Sequence, residues 1–270
     1  MSCAPALRIQ IFRFAPHCVG QYNASTKTIM FGEIKNHSGE KLDYTFHAEE
    51  KNSNNIVVLG HGVTGNKDRP FIVALAEGLA AAGIPALRVS FSGNGASGGK
   101  FTESNISKEV DDLGWVLDAL SGFTVGYVGH SMGGAVGVLR ASKDKRVKFL
   151  VSLAGMVHTK AFAQREFGSV KPGEGFMWDD PNCPLSQTFM DDLAKINTVI
   201  ALASQIQVPW LLVHGTEDDV VPIQDSRDIF TRANEPKQLV EIKGASHVFA
   251  GEYTAPMVEK VVKWCKGRFV

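Results

Sequence analysis

Two kinds of hydrophobic pattern alternate along the chain. Short continuous apolar runs occur at "NIVVLGHG" (55–62), "TVGYVGH" (124–130), "VKFLVSLAG" (147–155) and "VPWLLVHG" (208–215). Their length suits strands covered on both faces of a sheet. "PALRVSF" (85–91) and "KQLVEIKG" (237–244) read as further strands. Between the strands the spacing turns helical. Over 69–83, Phe71, Leu75, Leu79 and Ala82 fall on one helical face, and Gly83 suits the C-terminus. Residues 105–122, 132–142, 223–234 and 257–267 carry the same kind of pattern. Strand–helix alternation at this spacing predicts an α/β fold with a mostly parallel, doubly wound sheet. Right-handed crossovers then put helices on both of its faces.

Two regions depart from the alternation. "TIMFGEIKN" (28–36) and "KLDYTFHAE" (41–49), joined by "HSGE", read as an N-terminal hairpin. Residues 156–206 are too long for a simple crossover; they run through the Gly/Pro-rich "FGSVKPGEGFMWDDPNCPL" into one helical stretch, 186–206. This segment reads as a short cap inserted over the end of the sheet. The expected organisation is an N-terminal extension (1–27) and one domain (28–270) carrying that insertion.

Composition narrows the possibilities. The 270 residues can bury a substantial core, with 44% hydrophobic content to fill it. Lys plus Arg and Asp plus Glu both number 28, which leaves no basic footprint for nucleic acid or an anionic membrane. No apolar run reaches the ~18 residues of a membrane span. The cysteines at 3, 18, 183 and 265 form no Cys-x-x-Cys pair and no zinc-ligand spacing, as expected for free thiols in the cytoplasm. The first 26 residues hold Arg8 and Arg13 and no acid. They read as an ordinary extension, with a weak organelle-targeting signal as the alternative.

The chemistry centres on "GYVGHSMGG" (126–134), a strand, a sharp turn and a helix start around Ser131. Side chains at Gly129 or Gly133 would strike neighbouring backbone; glycine lets the turn close and leaves the Ser131 hydroxyl projecting at the C-terminal edge of the sheet. The Met132 amide then points into the site from the first turn of a helix, where the dipole adds positive charge. A serine nucleophile needs a base, and the base needs an orienting acid. "GASHVF" supplies His247 after one strand, and "HGTEDDVVP" supplies Glu217, Asp218 and Asp219 after another. The loop "HGVTGNKD" follows the first buried strand and offers the Val63 amide as a second oxyanion donor beside that of Met132. No metal or organic cofactor is required.

Taken together, "HGVTGNKD", "SFSGNGASGGKF", "GHSMGG", "HGTEDDVVP" and "GASHVF" resemble the α/β-hydrolase superfamily. They are most similar to its cinnamoyl/feruloyl-esterase-like and S33 serine-aminopeptidase-like branch, over about residues 28–268. The resemblance implies a Ser131–His247–Asp218 triad, because the family acid falls at Asp218 in His-Gly-x-x-Asp-x-x-Val-Pro; Glu217 and Asp219 are the fallbacks. It also implies an acyl-enzyme route on small or medium acyl or aromatic esters. One departure is Ser90, where family members often carry an aspartate before the "FSGNG"-type loop. That loop is expected to form a Gly-rich turn beside the pocket.

Phe162, Phe176 and Trp178 of the insertion are candidates for an apolar substrate pocket, against the alternative that they form the insertion's own core. Asp179, Asp180, Asp191 and Asp192 read as solvated; one of them facing the pocket would suit an amine substrate. A peptidase, thioesterase, acyltransferase or carbon–carbon bond hydrolase, or a binding protein without turnover, remain alternatives to the esterase.

Overall fold

Among the described residues seven strands form one sheet, and each takes its place from the pattern of its side chains. The computed structural model describes residues 31–48 and 53–269. The expected extension (1–27) and the start of the first predicted strand (28–30) lie outside them. In chain order the strands are β1 (Ile34–Lys35), β2 (Lys41–Leu42), β3 (Tyr44–His47), β4 (Asn55–Gly60), β5 (Ala86–Val89), β6 (Thr124–His130), β7 (Val147–Leu153), β8 (Trp210–Gly215) and β9 (Lys237–Ile242). The main sheet runs β3-β5-β4-β6-β7-β8-β9 and is parallel except at β3, which pairs antiparallel with β5. The fold is that of an α/β hydrolase.

The predicted hairpin is present as the two-residue ladder β1–β2, turned by Asn36, whose Oδ1 accepts from the amides of Ser38 and Glu40. Its second arm does not continue as one strand. The chain leaves the hairpin at Asp43, and β3 joins the main sheet with Tyr44 opposite Val89 and His47 opposite Ala86.

The helices are α1 (Pro70–Ala81), α2 (Ile106–Ala119), α3 (Met132–Ala141), α4 (Thr159–Phe167), α5 (Gln187–Ile196), α6 (Ile223–Arg232) and α7 (Thr254–Lys266). Alternate strand residues feed two separate cores. Ile56 and Val58 of β4 pack with α2 and α3, while Val57 and Leu59 pack with α1 and α7. Trp210 and Leu212 of β8 follow the first set; Leu211 and Val213 follow the second. With both faces covered, the central strands must be apolar at every position, which explains the continuous runs. Among the described residues, no helix is long and apolar enough to cross a membrane.

Between β7 and β8 the helical stretch predicted over 186–206 is broken. The helix α5 ends at Asn197, which takes φ 61°, and a 3-10 turn begins at Ile200, whose amide donates to Thr198 Oγ1. Asparagine tolerates this left-handed conformation, and it redirects the chain toward β8. Helices α4 and α5 share a small aromatic core in which Phe167 packs edge-on against Phe162, Trp178 and Phe189. Ser107 donates to Asp192 through both its amide and its hydroxyl, tying α5 to the start of α2.

The strand order reverses between β4 and β6: the chain passes from β4 outward to β5, then returns across β4 to β6. Clefts at such a switch point lie outside the carboxyl ends of the strands. Gly60 pairs with Gly129 in this register, so the loops carrying Val63 and Ser131 emerge side by side.

Candidate active site

Ser131 sits between β6 and α3 at φ 54°, ψ −118°, a conformation that a non-glycine residue adopts only under constraint. The constraint is backbone packing. A Cβ on Gly129 would lie 2.0 Å from the Gly133 carbonyl oxygen, and one on Gly133 would lie 2.5 Å from that of His61. The Ser131 amide donates to Leu153 O at 2.9 Å, and its carbonyl accepts from Gly134 and Met156, each at 2.9 Å. These bonds fasten the turn to the end of β7. Thr64, Ala154 and Phe249 also take positive φ, so non-glycine strain recurs in the loops beyond β4, β6, β7 and β9.

The β4 loop presses against this turn. A Cβ on Gly62 would lie 2.6 Å from Ser131 Cβ. Among the described residues, the amides of Val63 and Met132 donate to no backbone oxygen. His61 is buried; its Nε2 accepts from the Phe91 amide, which leaves Nδ1–H to donate to Gly62 O at 2.9 Å. Burial keeps this imidazole neutral, with its pKa lowered to about 4.

Of the three acids after β8, only Asp218 turns inward. Its side chain is fully buried, whereas Glu217 and Asp219 are exposed. Oδ1 accepts from the amides of Val220 and Val221 at 3.0 and 2.8 Å; Oδ2 accepts from His247 Nδ1 at 2.8 Å and lies 3.1 Å from His214 Nε2. Burial alone would raise the pKa of this carboxyl. The hydrogen bonds from His214, His247 and Val221 outweigh it and hold the group well below the usual carboxylate range. In the neutral ring, Nδ1 of His247 donating to the carboxylate leaves Nε2 as the acceptor.

Ser131 and His247 line one cavity of about 290 Å³. Val63, Phe71, Trp178, Val220 and Val248 give it apolar walls, and Arg69 stands among them. Among the described residues Ser131 Oγ makes no hydrogen bond, to His247 or to any other group; what joins the two side chains is the cavity they share. Catalytic hydrogen bonds often tighten only when substrate arrives. His130 packs its ring 4.6 Å from those of Phe71 and His247, and its Nε2 donates to His247 O at 2.9 Å. Burial, reinforced by the neighbouring His247, keeps His130 far less basic than an ordinary histidine.

Of the three aromatics expected at the pocket, only Trp178 reaches it. Phe162 is buried in the α4–α5 core, and Phe176 is exposed away from the cavity. None of Asp179, Asp180, Asp191 and Asp192 lines it. The Gly-rich loop after β5 also lies elsewhere: Gly98 donates to Lys41 O of the hairpin, and Ser92 donates from its amide to Asp112. Ser90, in place of the family's aspartate, accepts from the Lys67 amide. Sequence reasoning missed His214, Arg69 and Val220. His214 carried one signal, its place four residues before Asp218 on the same strand-to-loop turn.

A family model described as "alpha/beta hydrolase fold" matches residues 55–182, and one described as "Serine aminopeptidase, S33" matches 182–254. The uncharacterized protein YfhR of Salmonella typhimurium is 30% identical over 95 residues, 34% of this chain and 28% of the relative. The chain thus matches under a third of the length of the Salmonella relatives. The ferulic-acid-bound structure of Est1E from Butyrivibrio proteoclasticus superposes with a TM-score of 0.76 at 24% identity, covering 87% of this chain and 98% of that one. A Paleococcus ferrophilus monoacylglycerol lipase gives 0.68 at 22%, covering 83% and 97%. At these identities the structural likenesses establish the fold.

Proposed function

We propose, since this chain belongs to the α/β-hydrolase superfamily, that it is a serine carboxylester hydrolase acting on small acyl or aryl esters. The observation that carries this reading is the cavity onto which both Ser131 and His247 open, with His247 held by buried Asp218 at 2.8 Å. Ser131 Oγ attacks the ester carbonyl while His247 Nε2 takes its proton. The tetrahedral oxyanion forms against the Val63 and Met132 amides, each worth about 2.7–4 kcal/mol in such a role. His247 returns the proton to the leaving alcohol, and an acyl-enzyme remains on Ser131. A water deprotonated by His247 then releases the acid.

The cavity, at about 290 Å³, lies at the small end for ligand sites, which favours short substrates. An ester also agrees with the ferulic acid bound by one structural neighbour and with the lipase activity named for another. An aminopeptidase would need an acid for the substrate amine, and this cavity is lined by an arginine instead. Labelling by a fluorophosphonate, lost in Ser131→Ala, tests the nucleophile. Ser131→Ala and His247→Ala should each lower p-nitrophenyl acetate turnover by about 10⁴-fold or more. Near-normal turnover in either folded variant refutes the assignment.

A further inference from the structure

Arg69 has no salt-bridge partner among the described residues. It stands at the N-cap of α1 with an exposed side chain on the wall of the Ser131 cavity. One of its five N–H donors is spent, on Thr64 O at 3.0 Å. The cations around it are committed: Lys67 pairs with Asp43 and Asp68, and Arg88 pairs with Asp68. Its charge acts on Asp180 and on buried His61 and His130, but none of these is close enough to pair with it. Val63, Phe71, Trp178, Val220 and Val248 give the cavity an apolar wall, while Thr64, His130, Ser131 and His247 line the rest beside the glycines. A guanidinium fork with most of its donors unspent pairs bidentately with oxyanions, and beside the apolar wall of so small a cavity the compact, planar carboxylate fits best.

We propose that Arg69 is a specificity residue, selecting short esters that carry a carboxylate a few bonds from the scissile carbonyl. This rests on Ser131 being the nucleophile, since it is the Ser131 subsite that Arg69 flanks. The carboxylate pairs with the guanidinium, the connecting atoms lie along the valine and aromatic wall, and the ester carbonyl reaches Ser131. The same charge repels amines, which separates this site from one built for a peptide N-terminus.

The test uses two matched pairs with the intact protein. The carboxylate is on the acyl side in p-nitrophenyl hydrogen glutarate, set against p-nitrophenyl butyrate. It is on the alcohol side in 4-acetoxybenzoate, set against its methyl ester. The wild type should favour the anionic member of one pair, mainly through KM, and the pair that responds identifies the side. Arg69→Gln should lower that anionic-to-neutral ratio of kcat/KM by about tenfold or more. Arg69→Lys should retain part of it, and added salt should shrink it in the wild type. If Arg69 serves only to tether Thr64 and the loop bearing Val63, both members of each pair fall together and the ratio stays constant; that result overturns the proposal. If the wild type hydrolyses none of the four, the esterase reading fails by itself. The four compounds, then stable in the presence of protein, are titrated calorimetrically, where Arg69-dependent tighter binding of an anionic member supports the proposal and equal binding overturns it.

Discussion

Asp218 and Glu109 are both carboxyls removed from water, and the protein treats them in opposite ways. Asp218 collects donors from His247 and two backbone amides, with His214 Nε2 a further 3.1 Å neighbour, so burial is outweighed and the charge is kept. Glu109, fully buried on α2, receives one long bond from Ser104 Oγ at 3.4 Å, and its Oε2 has no partner among the described residues. Burial, with Asp112 nearby and Asp192 farther along, pushes its pKa well up. Asp112 lies between these extremes: burial raises it, and donors from Ser92 and Asn36 offset part of the rise. Depth alone therefore says little about a carboxyl's charge; the number of aimed donors decides it.

The largest effect that would break this contrast is at Asp218. Asp218→Asn should lower kcat by about 10⁴-fold, since an amide favours the wrong His247 tautomer, while Asp219→Asn should change it little. The reverse ranking would show that the orienting acid is misidentified. The stability effects have opposite signs. The folded-state pKa of Asp218 is depressed, so its stabilisation is present above the ordinary carboxylate range and is lost as pH falls below it. That of Glu109 is raised, so its favourable term is complete below the ordinary carboxylate pKa and fades as pH rises. Glu109→Gln should therefore gain stability relative to wild type progressively as pH rises above the ordinary carboxylate range. Each kcal/mol gained moves Tm by about 2–4 °C in a domain of this size. A Tm difference that does not vary with pH would mean that Glu109 is not protonated on folding.

The elements that surround the site were legible in the chain because their signals are local. Buried parallel strands read as unbroken apolar runs, and the glycines around Ser131 mark a turn that tolerates no Cβ at Gly129 or Gly133. The pairing of Asp218 with His247 followed from strand-end placement together with the family resemblance. Helix boundaries were less legible where a single residue breaks the pattern, as Asn197 does in 186–206. The cavity lining was harder still. Phe162 and Trp178 are both aromatic residues of the segment between β7 and β8, but the Phe167 cluster takes Phe162 into its interior and leaves Trp178 at its margin. Arg69 carried no periodic signal, because it stands where a loop becomes a helix and its significance arises from what fails to pair with it.

Trp178 has one more consequence. It is 44% exposed, is held by an Nε1 donation to Glu166, and borders the cavity, whereas the other three tryptophans of the chain do not line it. Its indole should therefore serve as a built-in optical reporter. Ligand entry should shift or quench the emission of the protein in proportion to occupancy, and Trp178→Phe should render the same titration silent.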